Sequence, residues 1–264
     1  DEILSKYYTD SLSYDYLGGK DVMPIGGFYG PTTDATLTDG MFKLIQESGI
    51  NLITYSPADA ASDPNRVQQA LVLAEKYGIG MFVSDGALNV LQTDENGNVT
   101  GHTVVTSPEE LAANMAAYSN YDSFLGINIV DEPKGANDWN VDTNEMEEIA
   151  DTNYKRYNYY RQLAQALKPY VNITNYVNMH GSQGVEKGTY AYYVEQIAKD
   201  VDVLSFDTYP YFEQGAYTQL TRLAAYLESL DIVRQASLDN EKPFWSYVQA
   251  GTDYRDDSSD GATA

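Results

Sequence analysis

Residues 125–130 read LGINIV and are followed at once by Asp131, Glu132 and Pro133. A short run made mainly of apolar and β-branched residues is typical of a strand that is buried in a sheet. Pro133 cannot donate a backbone hydrogen bond, so it fixes the point where the chain leaves the strand. The segment therefore predicts a buried strand whose carboxyl end carries two adjacent acidic side chains.

Six further short runs of this kind lie along the chain, separated by amphipathic stretches. These stretches carry helix start and stop signals: Ser62-Asp63-Pro64 opens one that Gly78 closes, and residues 107–110 (SPEE) form a capping box. A longer helix is predicted from about Thr143 to Leu167. Strands that alternate with helices imply a parallel sheet. The six runs are Met23–Tyr29, Asn51–Tyr55, Gly80–Ser84, Ile173–Asn178, Val203–Phe206 and Phe244–Val248.

Two parallel-sheet architectures fit this alternation, and the residues at the strand ends separate them. A doubly wound sheet usually has a G-x-G-x-x-G turn after its first strand, and residues 26–30, GGFYG, lack that spacing. A (β/α)8 barrel instead collects polar and aromatic side chains at the carboxyl end of nearly every strand. That pattern is present, so the sequence predicts an α/β fold with a (β/α)8, TIM-type barrel. The strand ends are Tyr29, Tyr55, Asp85, Asp131–Glu132, Asn178–His180, Asp207–Tyr209 and Gln249.

Seven strands can be counted, so strand 8 of the barrel is expected to be missing from this chain. The tail from Thr252 to Ala264 is acidic and rich in glycine and serine, which is a loop composition. We therefore expect one barrel domain over residues 1–264, incomplete at its carboxyl end, with the eighth strand supplied by a further segment of a longer protein. Asn96-Gly97 predicts a hairpin, inserted after the third strand over residues 86–106.

The composition excludes several classes of function. The 264 residues include 39 acidic and 16 basic side chains, and the net charge of −23 argues against nucleic acid and anionic membranes as partners. With no cysteine and two histidines, thiolate nucleophiles and multi-histidine metal sites are disfavoured, and no metal or organic cofactor is expected. No apolar run approaches the ~20 residues that cross a bilayer. Because the chain starts at Asp1, we expect a secreted or cell-surface bacterial protein whose signal or anchor has been removed.

The chemistry available at the strand ends is that of carboxylates, amides and tyrosines. Neither histidine lies near a nucleophile elbow, and no strand ends in lysine, which disfavours serine hydrolases and Schiff-base aldolases. Glycoside hydrolysis, by contrast, requires two carboxyl groups. The 24 tyrosines provide flat rings with a hydroxyl edge, a surface that suits sugars. Adjacent residues of a strand point to opposite faces, so one of Asp131 and Glu132 is expected to reach a substrate.

Three segments of the chain carry a resemblance to a known family. They are Asp131-Glu132-Pro133, residues 202–211 (DVLSFDTYPY) and residues 242–249 (KPFWSYVQ). In this order they resemble the fourth, sixth and seventh strands of the (β/α)8 glycoside hydrolases of the large retaining clan, and the likeness spans roughly residues 22–251. The resemblance implies that Glu132 is the general acid/base and that the substrate is an oligo- or polysaccharide. The charge of −23 favours a neutral one.

The sequence departs from this clan at the seventh strand. The clan has a nucleophilic glutamate there, whereas residues 246–252 contain no carboxylate and offer Gln249 as the nearest side chain in shape. Either Asp207 or Asp253 takes the second role, or the missing eighth unit supplies it, or the barrel binds carbohydrate without cleaving it. We take Asp207 as the candidate. A lyase or isomerase with Glu132 as its base is a further alternative.

The remaining strand-end residues are predicted to contact the sugar. Aromatic rings can stack on sugar rings, whereas amide, carboxylate and imidazole groups can hydrogen-bond to hydroxyls. Packing in the core is an equally good interpretation of each aromatic residue, and a single histidine is more often structural. The predicted stacking residues are Tyr29, Tyr55, Tyr209, Tyr211 and Trp245, and the predicted hydrogen-bonding residues are Asp85, Asp131, Asn178, His180 and Gln249.

Overall fold

A seven-stranded, all-parallel sheet organises the computed structural model of the chain. The structure describes residues 24–31, 33–55, 64–83, 91–93, 99–102, 107–131, 139–140, 142, 145–146, 161–170, 173–182, 185–210 and 219–248. Each strand is hydrogen-bonded to the next in chain order, so the sheet contains no crossover between non-neighbours. The strands are β1 (Gly26–Tyr29), β2 (Leu52–Tyr55), β3 (Gly80–Val83), β4 (Phe124–Asp131), β5 (Thr174–His180), β6 (Val203–Asp207) and β7 (Phe244–Ser246).

Helices connect these strands, and local signals set their ends. Thr38 caps the first helix, because its hydroxyl oxygen accepts a hydrogen bond from the Met41 backbone N–H at 3.3 Å. The second begins at Pro64 and ends before Gly78, which has a φ of 67° that glycine adopts without strain. The helices are α1 (Asp39–Glu47), α2 (Pro64–Tyr77), α3 (Pro108–Ala116), α4 (Lys187–Asp200) and α5 (Gln219–Asp239), with a 3₁₀ turn at Ala117–Asn120 and helical residues at 161–167.

The sheet curls until its first and last strands approach each other. Tyr247, directly after β7, lies edge-on to Phe28 of β1, with the ring centroids 5.3 Å apart. Its hydroxyl oxygen is 2.7 Å from Oγ1 of Thr54 in β2. Within the described residues, no backbone ladder joins β1 to β7. The prediction of a (β/α)8-type barrel is therefore confirmed, and the described residues form seven of its strands.

Side chains of the strands alternate between two apolar layers. Outward-facing residues such as Ile53 and Phe206 pack against helix residues such as Val194 and form the larger core. Inside the barrel, a smaller cluster lies between the strands, and Trp245 packs against it. Each fully buried side chain of this size contributes about 1.5–3 kcal/mol to folding. The inner cluster consists of Leu52, Phe82, Tyr176 and Val203.

The β4–β5 ladder has a close approach and a shift of register. A Cβ atom on Gly126 would lie 2.1 Å from the backbone oxygen of Thr174, so this position of β4 requires glycine. Further along, the pairing shifts between Asn128 and Val130, and beyond the shift Asp131 pairs with Asn178. The shift interrupts the period-two alternation of β4 just before its carboxyl end.

The predicted helix from Thr143 to Leu167 is wrong at its start. Residues Glu145–Met146 instead pair antiparallel with Trp139–Asn140, so backbone hydrogen bonds to a neighbouring strand replace the first helical turn. The helix end is as predicted, because helical residues 161–167 stop before Pro169.

A second antiparallel pair follows β3, where the sequence predicts a hairpin. Leu91–Thr93 pairs with Val99–His102, which places His102 on the second of the two short strands. The Asn96-Gly97 turn lies outside the described residues.

Candidate functional site

The carboxyl ends of the strands gather part of the predicted site. Tyr29, Asn178, His180, Asp207, Tyr209 and Trp245 are described with their side chains. For Tyr55 and Asp131 the structure describes the backbone, at the last positions of β2 and β4. The other predicted site residues lie outside the described part of the chain: Asp85, Glu132, Tyr211 and Gln249.

Asp207 is a buried carboxylate at the carboxyl end of β6. All five residues of this strand are buried, and Asp207 itself is 8% exposed. Its Oδ2 atom accepts a hydrogen bond from the Asn178 side-chain amide at 3.1 Å and another from the Tyr209 hydroxyl at 3.2 Å. Because a buried carboxylate is costly without hydrogen-bond donors, these two contacts compensate for the burial of Asp207. The structure thus brings three of the predicted site residues together.

The register of the sheet aligns these residues in rows across the barrel. Asp131 of β4 pairs with Asn178 of β5, which pairs with Ser205 of β6. Two residues further toward the carboxyl ends, on the same face of the sheet, His180 pairs with Asp207. In a parallel sheet, paired residues lie side by side on neighbouring strands, about 4.8 Å apart. Asp207 therefore lies beside β5 and one strand away from β4.

His180 is held through its backbone by a buried tyrosine. The Tyr190 hydroxyl of α4 donates to the His180 carbonyl oxygen at 2.7 Å. Burial raises the pKa of Tyr190 well above the usual tyrosine range, because the phenolate would lose its hydration, and the negative charge of Asp207 raises it further. Tyr190 therefore remains a neutral donor at ordinary pH and anchors the end of β5 to its helix.

Below the strand ends, hydroxyl groups form a continuous hydrogen-bond chain that the sequence interpretation missed. Ser205 donates to Oδ1 of Asn178 at 2.8 Å and is 2.9 Å from the Tyr176 hydroxyl. The Tyr176 hydroxyl is 2.6 Å from that of Tyr247, which in turn contacts Thr54. Tyr176 and Asn178 alternate on one face of β5, a polar pattern at i and i+2 that could have revealed the start of this chain.

The predicted aromatic contacts fall into two different environments. Tyr29 is 73% exposed at the end of β1, and its ring packs edge-on against Phe28. Tyr209 is 36% exposed and contributes its hydroxyl to Asp207. Trp245, in contrast, lies inside the barrel, where its ring contacts Phe82 and Tyr176 at centroid distances of 5.7 and 5.5 Å. Tyr29 and Tyr209 are thus accessible from solvent, whereas Trp245 packs in the inner layer.

Two polar side chains of the inner layer have atoms with no hydrogen-bond partner among the residues that the structure describes. Both side-chain amide atoms of Asn128 are buried and unpaired, as is the indole Nε1 of Trp245. Asn128 is the register partner of Tyr176, whose ring also contacts Trp245. The interior beneath the hydroxyl chain is therefore polar on its β4 side as well.

Comparison with known proteins supports the fold. No protein-family model matches the sequence, and no curated protein is significantly similar to it. Among solved structures, a β-galactosidase from the psychrophilic Marinomonas ef1 matches with a TM-score of 0.54 at 12% identity, over 85% of this chain and 48% of that one. A GH113 β-mannanase from Alicyclobacillus acidocaldarius matches with a TM-score of 0.47 at 13% identity, over 86% of this chain and 71% of that one. A dipeptide epimerase from Enterococcus faecalis V583 matches with a TM-score of 0.45 at 10% identity, over 88% of this chain and 50% of that one.

The β-galactosidase match supports the (β/α)8-type barrel fold of the chain. The chain spans about half the length of the galactosidase. Since barrels of this kind support many different reactions, the fold does not by itself identify the chemistry, which has to be argued from the site. In the described residues, none of the helices is both long and apolar enough to cross a bilayer.

Proposed function

We propose that this protein hydrolyses O-glycosidic bonds of a neutral oligo- or polysaccharide, with Glu132 as general acid/base and Asp207 as the second carboxylate. The observation that carries the proposal is the environment of Asp207. It is a buried carboxylate at a strand end, and its Oδ2 accepts hydrogen bonds from two residues of the same rim, Asn178 and Tyr209. A charged group held in this way at a barrel's carboxyl face is typical of a catalytic position.

The spacing of the strands supports pairing Asp207 with Glu132. Asp131, the residue before Glu132, is in register with Asn178, the donor that holds Asp207. With neighbouring strands about 4.8 Å apart, β4 and β6 lie about 10 Å apart across β5. Side chains that lean toward each other from strands at this distance reach the separation of about 5–10 Å that two catalytic carboxyl groups require.

The roles follow from the chemistry of the bond. Glu132 donates a proton to the leaving oxygen, and Asp207 acts from the other side of the sugar, either on the anomeric carbon or on a water molecule. The exposed ring of Tyr29 and the ring of Tyr209 offer stacking surfaces at the carboxyl ends of the strands. An acidic protein of net charge −23 favours a neutral carbohydrate over a polyanionic one. We further propose secretion or cell-surface attachment, where such polymers are found.

The test is turnover of neutral polysaccharides and aryl glycosides by the wild type and three variants. Glu132→Gln keeps the shape and removes the transferable proton, so a natural glycoside should lose about 10²–10⁴-fold in kcat, and an activated aryl glycoside much less. Asp207→Asn should abolish turnover of both. Asp202→Asn is the matched control, because Asp202 lies at the opposite end of β6 and accepts from the Asn175 backbone N–H at 2.9 Å.

The competing function is a carbohydrate-binding barrel without catalysis. The lack of a carboxylate in residues 246–252 favours this alternative. Tyr209→Ala tests the carbohydrate site that the two functions share, because in either case it should weaken carbohydrate binding more than it lowers the melting temperature. The presence or absence of hydrolysis separates the two functions. Binding that depends on Tyr209, with no hydrolysis by any substrate in the panel, would replace the hydrolase proposal by the binding one. Intact turnover in Glu132→Gln would instead remove the assignment of the acid.

A further inference from the structure

The hydroxyl chain inside the barrel has a direction that can be derived from proton counting. A carboxylate can only accept, so the Asn178 amide must direct its Nδ2 to Asp207 and its Oδ1 to Ser205. Ser205 therefore donates its one hydroxyl proton to Asn178. The contact of 2.9 Å between Ser205 and Tyr176 then requires Tyr176 to be the donor.

The same argument extends to the far side of the barrel. Tyr176 has used its proton, so the 2.6 Å contact with Tyr247 requires Tyr247 to donate. Tyr247 has then used its own, so Thr54 donates across the 2.7 Å contact between them rather than to the Gly27 carbonyl oxygen, which lies farther away at 3.5 Å. The hydroxyls of Thr54, Tyr247, Tyr176 and Ser205 thus all donate in the direction of the Asn178 amide, which donates to Asp207. Hydrogen bonds aligned in series strengthen one another by polarisation.

Tyr247 connects the hydroxyl chain to the end of the seventh strand. The seventh strand is where the resembling hydrolases have a carboxylate, and residues 246–252 of this protein have none. Tyr247 follows β7 directly, and its hydroxyl is part of the chain that ends on Asp207. The seventh strand is therefore connected to the carboxylate of the sixth strand by hydrogen bonds.

We propose that Ser205, Tyr176 and Tyr247 are positioning residues for Asp207, which they hold in place through the Asn178 amide. The effect of these residues on catalysis rests on the proposed function, whereas their effect on the position of Asp207 does not. The polar groups that also surround Asp207 in the described residues are the Tyr209 hydroxyl, the buried Tyr190 of α4 and His180, its register partner on β5. Burial raises the pKa of Tyr190, so this residue stays neutral over the range of a pH–rate profile.

The experiment is a graded series of variants along the chain. Ser205→Ala removes the donor nearest to Asn178, Tyr176→Phe the next and Tyr247→Phe the third. Each variant removes a hydroxyl that polarises the Asn178 amide and so weakens the hydrogen bond from this amide to the Asp207 carboxylate. The acid limb of the kcat profile should therefore move to higher pH, most for Ser205→Ala and least for Tyr247→Phe. We expect kcat to fall by about 10-fold for Ser205→Ala and about 3-fold for Tyr247→Phe, with KM unchanged, since polarisation weakens along the chain.

Two variants on the outer face of β7 serve as matched controls. The Ser246 hydroxyl and the Tyr226 hydroxyl of α5 are 3.1 Å apart, and Ser246 lies 3.4 Å from the backbone oxygen of Tyr247 rather than contacting its hydroxyl. Ser246→Ala and Tyr226→Phe remove the same chemical groups and should leave the pH profile unchanged. Should Tyr247→Phe fail to fold, Thr54→Val provides the same test from the end of the chain.

A second readout is independent of catalysis. Carbon-13 labelling of the aspartate carboxyl groups follows the titration of Asp207 by nuclear magnetic resonance, with Asp207→Asn to assign the signal. The midpoint should move to higher pH in the same graded order. A midpoint that is equal in the wild type, Ser205→Ala and Tyr247→Phe would overturn the positioning proposal. A graded midpoint in a protein that hydrolyses no glycoside would support the chain and refute only the proposed function.

Discussion

Replacing Tyr176 by phenylalanine should destabilise the barrel by an amount that its two hydrogen bonds determine. Tyr176 is fully buried, and its hydroxyl contacts Tyr247 at 2.6 Å and Ser205 at 2.9 Å. A net contribution of about 0.5–1.5 kcal/mol for each bond gives a loss of about 1–3 kcal/mol in the free energy of unfolding. The ring contacts with Phe82 and Trp245 remain in the variant, so no cavity term is added.

Equilibrium unfolding in guanidinium chloride measures this loss, with the m-value as the check that both proteins unfold in the same way. For a chain of this size, about 2 kcal/mol corresponds to a decrease of roughly 4–8 °C in melting temperature. Tyr226→Phe is the control, because it removes one longer bond of 3.1 Å from a half-buried site. A Tyr176→Phe variant no less stable than Tyr226→Phe would refute the account of the interior as a connected hydrogen-bond chain.

Two further outcomes follow from single side chains. Burial raises the pKa of Tyr190, so its contribution to stability is complete below the pKa of an unfolded tyrosine, ~10, and is lost at higher pH, as the unfolded chain ionises. The free energy of unfolding between pH 9 and 11 should therefore decline less steeply in Tyr190→Phe than in the wild type. An equal decline in the two proteins would contradict the burial argument. Gly126→Ala would place a Cβ 2.1 Å from the Thr174 oxygen and should cost more than about 3 kcal/mol in the stability measured by thermal melting. Gly40→Ala, in α1 with no atom within 4 Å of the new Cβ, should stabilise by up to about 1 kcal/mol, and similar melting temperatures for the two variants would contradict the close approach of β4 and β5.

The fold could be predicted from the sequence because its determinants are local. Each strand is a short apolar run, each helix has its own start or stop signal, and the polar strand ends favour a barrel over a doubly wound sheet. The run from Val203 to Phe206, for instance, is one residue short of the observed β6. The misplaced start near Thr143 arose because a two-residue strand pair leaves almost no periodic signal.

The site was harder to predict because it depends on register and depth. Asn178, Asp207 and Tyr209 meet as strand-end residues should, but an aromatic residue looks the same in sequence whether it stacks on a ligand or packs inside. Trp245 is aligned with Ser205, one row below Asp207, and that row is set by pairing between distant segments. The face argument for Asp131 and Glu132 assumed unbroken alternation, and the register shift between Asn128 and Val130 interrupts it.

Tyr176 and Tyr247 were missed for a related reason. Each belongs to a run that reads as apolar or aromatic, so its hydroxyl carries no separate signal in the sequence. The hydroxyls become informative only when four strands bring them within 2.6–2.9 Å of one another. A hydrogen-bond chain across a barrel is thus a property of the closed sheet rather than of any one strand.

The distance between the carboxyl groups of Glu132 and Asp207 tests the central claim most directly. A crystal structure of the protein soaked with a neutral oligosaccharide gives this distance and the position of the sugar together. We expect the two carboxyl groups to face each other at about 5–10 Å with a glycosidic oxygen near Glu132. Carboxyl groups more than about 12 Å apart, or a Glu132 side chain directed away from the face that carries Asp207, would contradict a hydrolase that uses this pair.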